Sequence, residues 1–218
     1  MLEAVIFDLD GVITDSAAYH FRAWKEIADR LSIPFDETYN EKLKGVSRME
    51  SLALILDRGK GRNAYSDTEK EQLAFEKNEI YKKMICAITP ADLLPGIRDI
   101  LEALKQNSIP AGLASVSKNA AFIIEQLQIG SYFSYIADAA NVAHSKPAPD
   151  IFDDCIRHLS VNPAHSVGIE DARVGIEAIH RAGMRAVGVG TRSEMAGADL
   201  ILESTTGLRL PLLQALVP

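Results

Sequence analysis

The chain opens on a short apolar run, Leu2 to Asp8, that ends abruptly in acid and glycine, a pattern that predicts a strand buried in a parallel sheet. From about Ser16 the period becomes that of a helix. Trp24, Ile27, Ala28 and Leu31 recur at i, i+3, i+4 and i+7, a stripe that stops near Ser32-Ile33-Pro34, with Asp15 or Ser16 as its cap. Two more helices are predicted, around 48–57 after Gly45 and around 67–85. No convincing strand occurs up to Thr89-Pro90, so 16–90 reads as an all-helical unit.

After Pro95-Gly96 helix and strand alternate. Helices are expected over 97–106, 119–128, 149–159 and 172–182, and strands over 110–115, 135–138, 166–170 and 185–189. Such alternation gives an α/β, doubly wound parallel sheet with helices on both faces, a Rossmann-like core. The first strand belongs to that sheet. The expected organisation is therefore a core of residues 1–15 and 91–218 with an inserted all-helical cap domain at 16–90.

At 218 residues with 47% apolar and 24% charged positions, the chain can bury a real core, which excludes disorder and disulfide-stapled miniproteins. Cys86 and Cys155 match no metal or redox spacing and are expected as free thiols. No apolar run approaches a membrane span, and the N-terminus lacks the features of a signal peptide, so a cytoplasmic protein without a membrane partner is expected. The net charge of −7 argues against nucleic acid. It is uneven: residues 16–90 hold 13 basic and 12 acidic side chains, the remainder 10 and 18.

In doubly wound sheets ligands bind beyond the carboxyl ends of the strands. Those ends here carry Asp8 and Asp10, Ser115 and Ser117, and Glu170 and Asp171, with Lys146 in a loop after a fourth strand. Paired carboxylates can hold magnesium, and one can attack a phosphoryl group while the other handles a proton. A lone Asp-x-Asp is more often a turn, and it is the company of the other strand ends that favours chemistry. Ser117 serves either as a helix N-cap or as part of an anion site, since both use the same N–H groups. Asp171, taken alone, is a helix cap, and Lys146, taken alone, is a surface lysine.

Asp8-Leu9-Asp10-Gly11-Val12-Ile13-Thr14-Asp15 resembles the first motif of the haloacid dehalogenase-like superfamily. The runs Ala114 to Asn119, Ser145-Lys146-Pro147-Ala148-Pro149-Asp150 and Ile169-Glu170-Asp171 match the later motifs in order. The Ser-Lys-Asn run and several positions of the helical insertion resemble its sugar-phosphate mutases more closely than its phosphatases. That resemblance implies Asp8 as nucleophile and Asp10 as general acid and base. One Mg2+ per chain would be held by Asp8, the backbone carbonyl of Asp10, Glu170 and Asp171, donors that are hard oxygens rather than the thiolates or imidazoles zinc prefers. Lys146 would neutralise Asp8 and its phosphoryl group, on a loop with a cis Lys146–Pro147 peptide.

The insertion carries the more selective signals. Lys77 interrupts the stripe Leu73, Ile80, Tyr81, Met84, and either snorkels or enters a polar cleft. Ser47 and Glu50 form a capping-box pattern that puts Arg48 in a first helical turn, where a cation opposes the helix dipole unless an anion is near. The resemblance assigns Arg48, in the run Gly45-Val46-Ser47-Arg48, to the distal phosphate of the substrate. Ser115, Ser117, Lys118 and Asn119 would join it from the core, while His20, Trp24 and Lys77 would line the substrate. Ser16 and Val116 stand where the mutases have Thr and Ala. The implied reaction interconverts beta-D-glucose 1-phosphate and D-glucose 6-phosphate through an aspartyl phosphate and glucose 1,6-bisphosphate, in a monomer whose partners are small sugar phosphates. A sugar-phosphate phosphatase is the alternative. A phospho-accepting receiver domain ranks last, because it has no use for a long helical insertion.

Overall fold

The computed structural model describes residues 1–218, which divide into two compact units, Met1–Asp15 with Thr89–Pro218, and Ser16–Ile88. The first unit is built on six strands: β1 (Ala4–Phe7), β2 (Ala111–Leu113), β3 (Phe133–Ile136), β4 (Ser166–Glu170), β5 (Arg185–Val189) and β6 (Leu200–Leu202). All pair in parallel in the order β3-β2-β1-β4-β5-β6. Successive strands run outward from β1 on one side and then outward from β4 on the other. The order thus reverses beside β1, and a doubly wound sheet opens a crevice at that switch. β1 and β4 are fully buried, as continuous apolar strands covered on both faces must be.

Five helices belong to this unit: α5 (Ile97–Gln106), α6 (Ala120–Gln126), α7 (Asp150–Leu159), α8 (Arg173–Arg181) and α9 (Leu210–Gln214). Ile6 of β1 joins Phe152 and Cys155 of α7 and Ile176 and Ile179 of α8 in one buried cluster. Gly168 of β4 lets α8 approach: a Cβ there would stand 2.6 Å from Ile179. Where the chain leaves and re-enters around the insertion, the unit ties itself shut. The Leu94 N–H donates to the Ile13 carbonyl at 2.9 Å, and Thr14 Oγ1 donates to the Asp92 carbonyl at 2.8 Å.

The second unit contains α1 (Ala17–Arg30), α2 (Glu37–Asn40), α3 (Arg48–Asp57) and α4 (Asp67–Ile85) around its own apolar cluster, including Ile27, Phe35, Leu52, Ile55 and Leu56. Its helices confirm the periodicity with three corrections of detail. Ser16 occupies the position before α1 but its side chain makes no capping bond, because its backbone is already turned in a helical conformation (φ −95°, ψ 0°). Ser47 does accept the Glu50 N–H at 3.3 Å, yet Glu50 does not complete the box and lies 3.7 Å from Arg62. The buried face of α4 is Ala74, Lys77, Tyr81 and Ile85, which shares Lys77 and Tyr81 with the expected stripe, while Leu73 and Ile80 pack half-buried at its edge. β6, α2 and α9, each three to five residues long, had no periodic signal long enough to read.

Candidate active site

β1 ends at Phe7, so Asp8 emerges at the crevice with its backbone still paired to the sheet: its N–H donates to the Ile169 carbonyl at 2.9 Å. The chain then winds through a tight loop, with the Gly11 N–H donating to the Thr14 carbonyl at 2.8 Å and the Ile13 N–H to the Leu9 carbonyl at 2.9 Å. Gly11 has φ +77°, and a Cβ there would meet the Asp171 carboxylate at 2.2 Å. Glycine is required twice over, for conformation and for space. On the neighbouring strand Glu170 is fully buried, its Oε1 accepting the N–H groups of Asp171 and Ala172 at 3.2 and 3.3 Å. Its carboxylate lies beneath α8, where Gly175 leaves room that any Cβ would fill.

Lys146 connects these strands. The Lys146–Pro147 peptide is cis, and the buried ammonium donates to Asp8 Oδ1 at 2.5 Å and to Glu170 Oε2 at 2.7 Å. The face of the Phe152 ring lies 5.1 Å away. Burial by itself would lower the lysine's pKa, but the Asp8 and Glu170 charges overcome it and hold the group well above its ordinary value. The second oxygen of Asp8 accepts the Asp10 N–H at 3.0 Å. Burial, followed by repulsion from Asp8, pushes Glu170 up to about 7 against the pull of Lys146.

Carboxylate oxygens of Asp8, Glu170 and Asp171 lie within 4.8 Å of one another. With all three ionised, the carboxylates exceed the single ammonium by two negative charges, presented by hard oxygen donors. That donor set fits a magnesium ion in both charge and chemistry. The Asp10 carboxylate is not one of the three.

Ser115 to Asn119 follow β2, which pairs directly with β1. The helix expected over 119–128 starts one residue later: α6 begins at Ala120, and Asn119, not Ser117, takes the N-cap position without a side-chain capping bond. The hydroxyls fold the loop instead. Ser115 Oγ accepts the Ser117 N–H at 3.1 Å, and Ser117 Oγ accepts the Asn119 N–H at 3.3 Å.

The helical unit gathers the other expected residues. Lys77 does not snorkel. It is 2% exposed, its Nζ lies 2.8 Å from His20 Nδ1, and it faces the rings of Trp24 at 4.9 Å and Tyr81 at 4.6 Å. Burial, then the charges of Lys77 and Arg48, hold the His20 imidazole well below its usual pKa, so it is neutral at physiological pH and its Nδ1 accepts from the lysine. Arg48 opens α3, and Gly45 (φ +70°) with the Val46 N–H donating to the Leu43 carbonyl at 3.2 Å makes the turn before it. Sequence reasoning missed Phe152 and Gly175. Of these only Gly175 left a signal, a glycine two residues inside a helix, where it costs about 1 kcal/mol relative to alanine. The open cleft of about 490 Å³ lined by Arg173, Ile176, Glu177, His180, Arg181, Ala196 and Gly197 includes none of Asp8, Glu170 and Asp171.

Residues 2–183 match the family model of the haloacid dehalogenase-like hydrolases. The chain is 51% identical over 212 residues to the beta-phosphoglucomutase of Bacillus subtilis, covering 97% of this chain and 94% of that one. It superposes on the crystal structure of beta-phosphoglucomutase from Clostridium difficile with a TM-score of 0.97 at 46% identity, covering 99% and 97% of the two chains. A fructose-1-phosphate phosphatase of Escherichia coli is more distant, 30% identical over 185 residues, 85% of this chain and 95% of that one. No helix is long and apolar enough to cross a membrane.

Proposed function

This chain belongs to the haloacid dehalogenase-like hydrolases, and from its likeness to the beta-phosphoglucomutases among its relatives we propose that it interconverts beta-D-glucose 1-phosphate and D-glucose 6-phosphate. One observation carries the choice of mutase over phosphatase. A bisphosphate intermediate has two anionic ends, and besides Lys146 in the α/β unit the helical unit carries Arg48 in the first turn of α3, where a cation opposes the helix dipole unless an anion is near. A phosphatase needs only the first.

Phosphorylated Asp8 transfers its phosphoryl group to the sugar 6-hydroxyl while the Asp10 carboxylate takes the hydroxyl proton, giving glucose 1,6-bisphosphate. After the bisphosphate turns round, its 1-phosphoryl group returns to Asp8 and Asp10 gives the proton to the departing sugar oxygen. Lys146, fixed 2.5 Å from Asp8 Oδ1, holds charge on the transferring group. Asp8, Glu170, Asp171 and the Asp10 carbonyl would hold Mg2+, which supplies electrostatic stabilisation of the phosphoryl oxygens. The distal phosphate is assigned to Arg48, whose planar fork can hold two phosphate oxygens. His20, Trp24 and Lys77 contact the sugar.

The test incubates the protein with Mg2+, beta-glucose 1-phosphate and a trace of glucose 1,6-bisphosphate, and follows glucose 6-phosphate and free phosphate together. Glucose 6-phosphate without matching phosphate release is expected. Free phosphate in proportion to substrate consumed would mean a phosphatase. Arg48→Ala should lower mutase turnover by about 2–4 kcal/mol in transition-state terms, roughly 30- to 1000-fold. Hydrolysis of acetyl phosphate, which has no distal phosphate, should change far less. Equal losses would reduce Arg48 to a structural support.

A further inference from the structure

We propose that Arg181 is a positioning residue for Lys146, acting through the loop that carries the lysine; the proposal rests on the phosphoryl-transfer reading above. Lys146 sits in the turn Ser145-Lys146-Pro147-Ala148, closed by the Ala148 N–H donating to the Ser145 carbonyl at 3.0 Å. Its Nζ must reach one point between Asp8 Oδ1 and Glu170 Oε2, with Phe152 closing a further side. A flexible four-carbon stem cannot fix that point by itself, so the ammonium is placed only as well as its turn is held.

Two contacts hold the turn. Behind it, Asp150 Oδ2 accepts the His144 N–H at 3.0 Å and lies 3.0 Å from His144 Nδ1, pinching the two ends of the loop together. Within it, the Pro147 carbonyl accepts a hydrogen bond from Arg181 Nη1 at 3.0 Å. Arg181 is the last residue of α8, the helix that follows Glu170 and Asp171. The same strand–helix segment therefore presents one carboxylate partner of Lys146 and anchors the loop of the lysine itself. Glu177, one turn earlier, aims the guanidinium by accepting from Nη2 at 2.5 Å. Arg181 and Glu177 are each about half exposed, so their pairing adds little to global stability. Its consequence is alignment: an ammonium displaced from Asp8 serves the transferring group poorly, and small displacements at such a site are expensive in rate.

The experiment compares the full-length wild type with Arg181→Met, Arg181→Lys and a control, Arg185→Met. The control removes another exposed arginine, paired with Asp199 at 3.0 Å, at the opposite end of β5 from the carboxylates. Arg181→Met should lower kcat about tenfold with KM within about twofold, while Tm falls by no more than a few degrees. Arg181→Lys, which can still donate to the Pro147 carbonyl, should recover most of the loss, and Arg185→Met should keep wild-type kcat. Should the wild type hydrolyse its substrate instead of isomerising it, the same ratios are read on phosphate release, so a failed mutase reading does not decide this test. The proposal is overturned by an Arg181→Met kcat equal to the control's, a loss carried by KM, a loss that lysine does not restore, or a wild type with neither activity.

Discussion

At Asp8 the two carboxylate oxygens have separate partners: Oδ1 accepts from Lys146 and Oδ2 from the Asp10 N–H. An amide is nearly isosteric but a poor nucleophile, and its single oxygen can keep one of these two accepted bonds. Asp8→Asn is therefore expected to abolish turnover while leaving the circular dichroism and thermal transition close to wild type; comparable turnover in the variant would remove Asp8 as nucleophile. The charge excess of the cluster gives a second expectation. Glu170 is held up to about 7, above its ordinary 4.5, so between those values the folded state keeps a proton that the unfolded chain has released. Its contribution without metal is thus a stability that falls as pH rises through that window. Magnesium favours the ionised form, so it should raise Tm more at pH 7.5 than at pH 5.5. At 100 times its dissociation constant the gain is about 2.7 kcal/mol, and each kcal/mol is worth roughly 2–4 °C in a chain of this size. Asp171→Asn should shrink the shift, and a Tm indifferent to magnesium would exclude the cluster as its site.

Among the helices, two starts in the helical unit look alike in sequence and differ in structure. Before α4, Ser66 accepts the Glu69 N–H at 3.3 Å and Glu69 returns to the Ser66 N–H at 2.7 Å, so two orphan donors are satisfied. Before α3 only the first half forms. Ser66→Ala should therefore destabilise by about 1 kcal/mol, and Ser47→Ala by less. Urea denaturation of the two variants gives the comparison directly. A larger loss at Ser47 would mean that its hydroxyl does more than cap α3.

At the scale of the whole molecule, each unit has an apolar core of its own: the α/β unit buries side chains on both faces of its sheet, and the helical unit packs a separate cluster among α1, α3 and α4. Leu52, 1% exposed, belongs to the second. Leu52→Ala should cost about 2–5 kcal/mol, and hydrogen exchange should lose protection across Ser16–Ile88 while β1 and β4 stay protected. Loss of protection in the strands to the same degree would show the two units unfolding as one.

What could be read without coordinates was whatever depends on neighbours along the chain. Helices such as 67–85 and 97–106 and strands such as 166–170 follow from periodicity, and the acids at the strand ends follow from topology, because a parallel sheet delivers every strand's carboxyl end to one edge. The resemblance added roles to those positions. Short elements such as β6 escaped because three residues carry no period. The face of α4 was legible at Lys77 and Tyr81, but Ala74 and Ile85 are buried where Leu73 and Met84 were expected, because only packing settles where a helix face is centred. Folding alone put the Lys146 ammonium between Asp8 and Glu170, 138 and 24 residues away, and opened the gaps at Gly11 and Gly175 that the two carboxylates of the next strand require. Whether a lysine is a solvated surface group or a buried counter-ion is decided by the charges packed around it. Those come from distant segments that only the tertiary structure brings together.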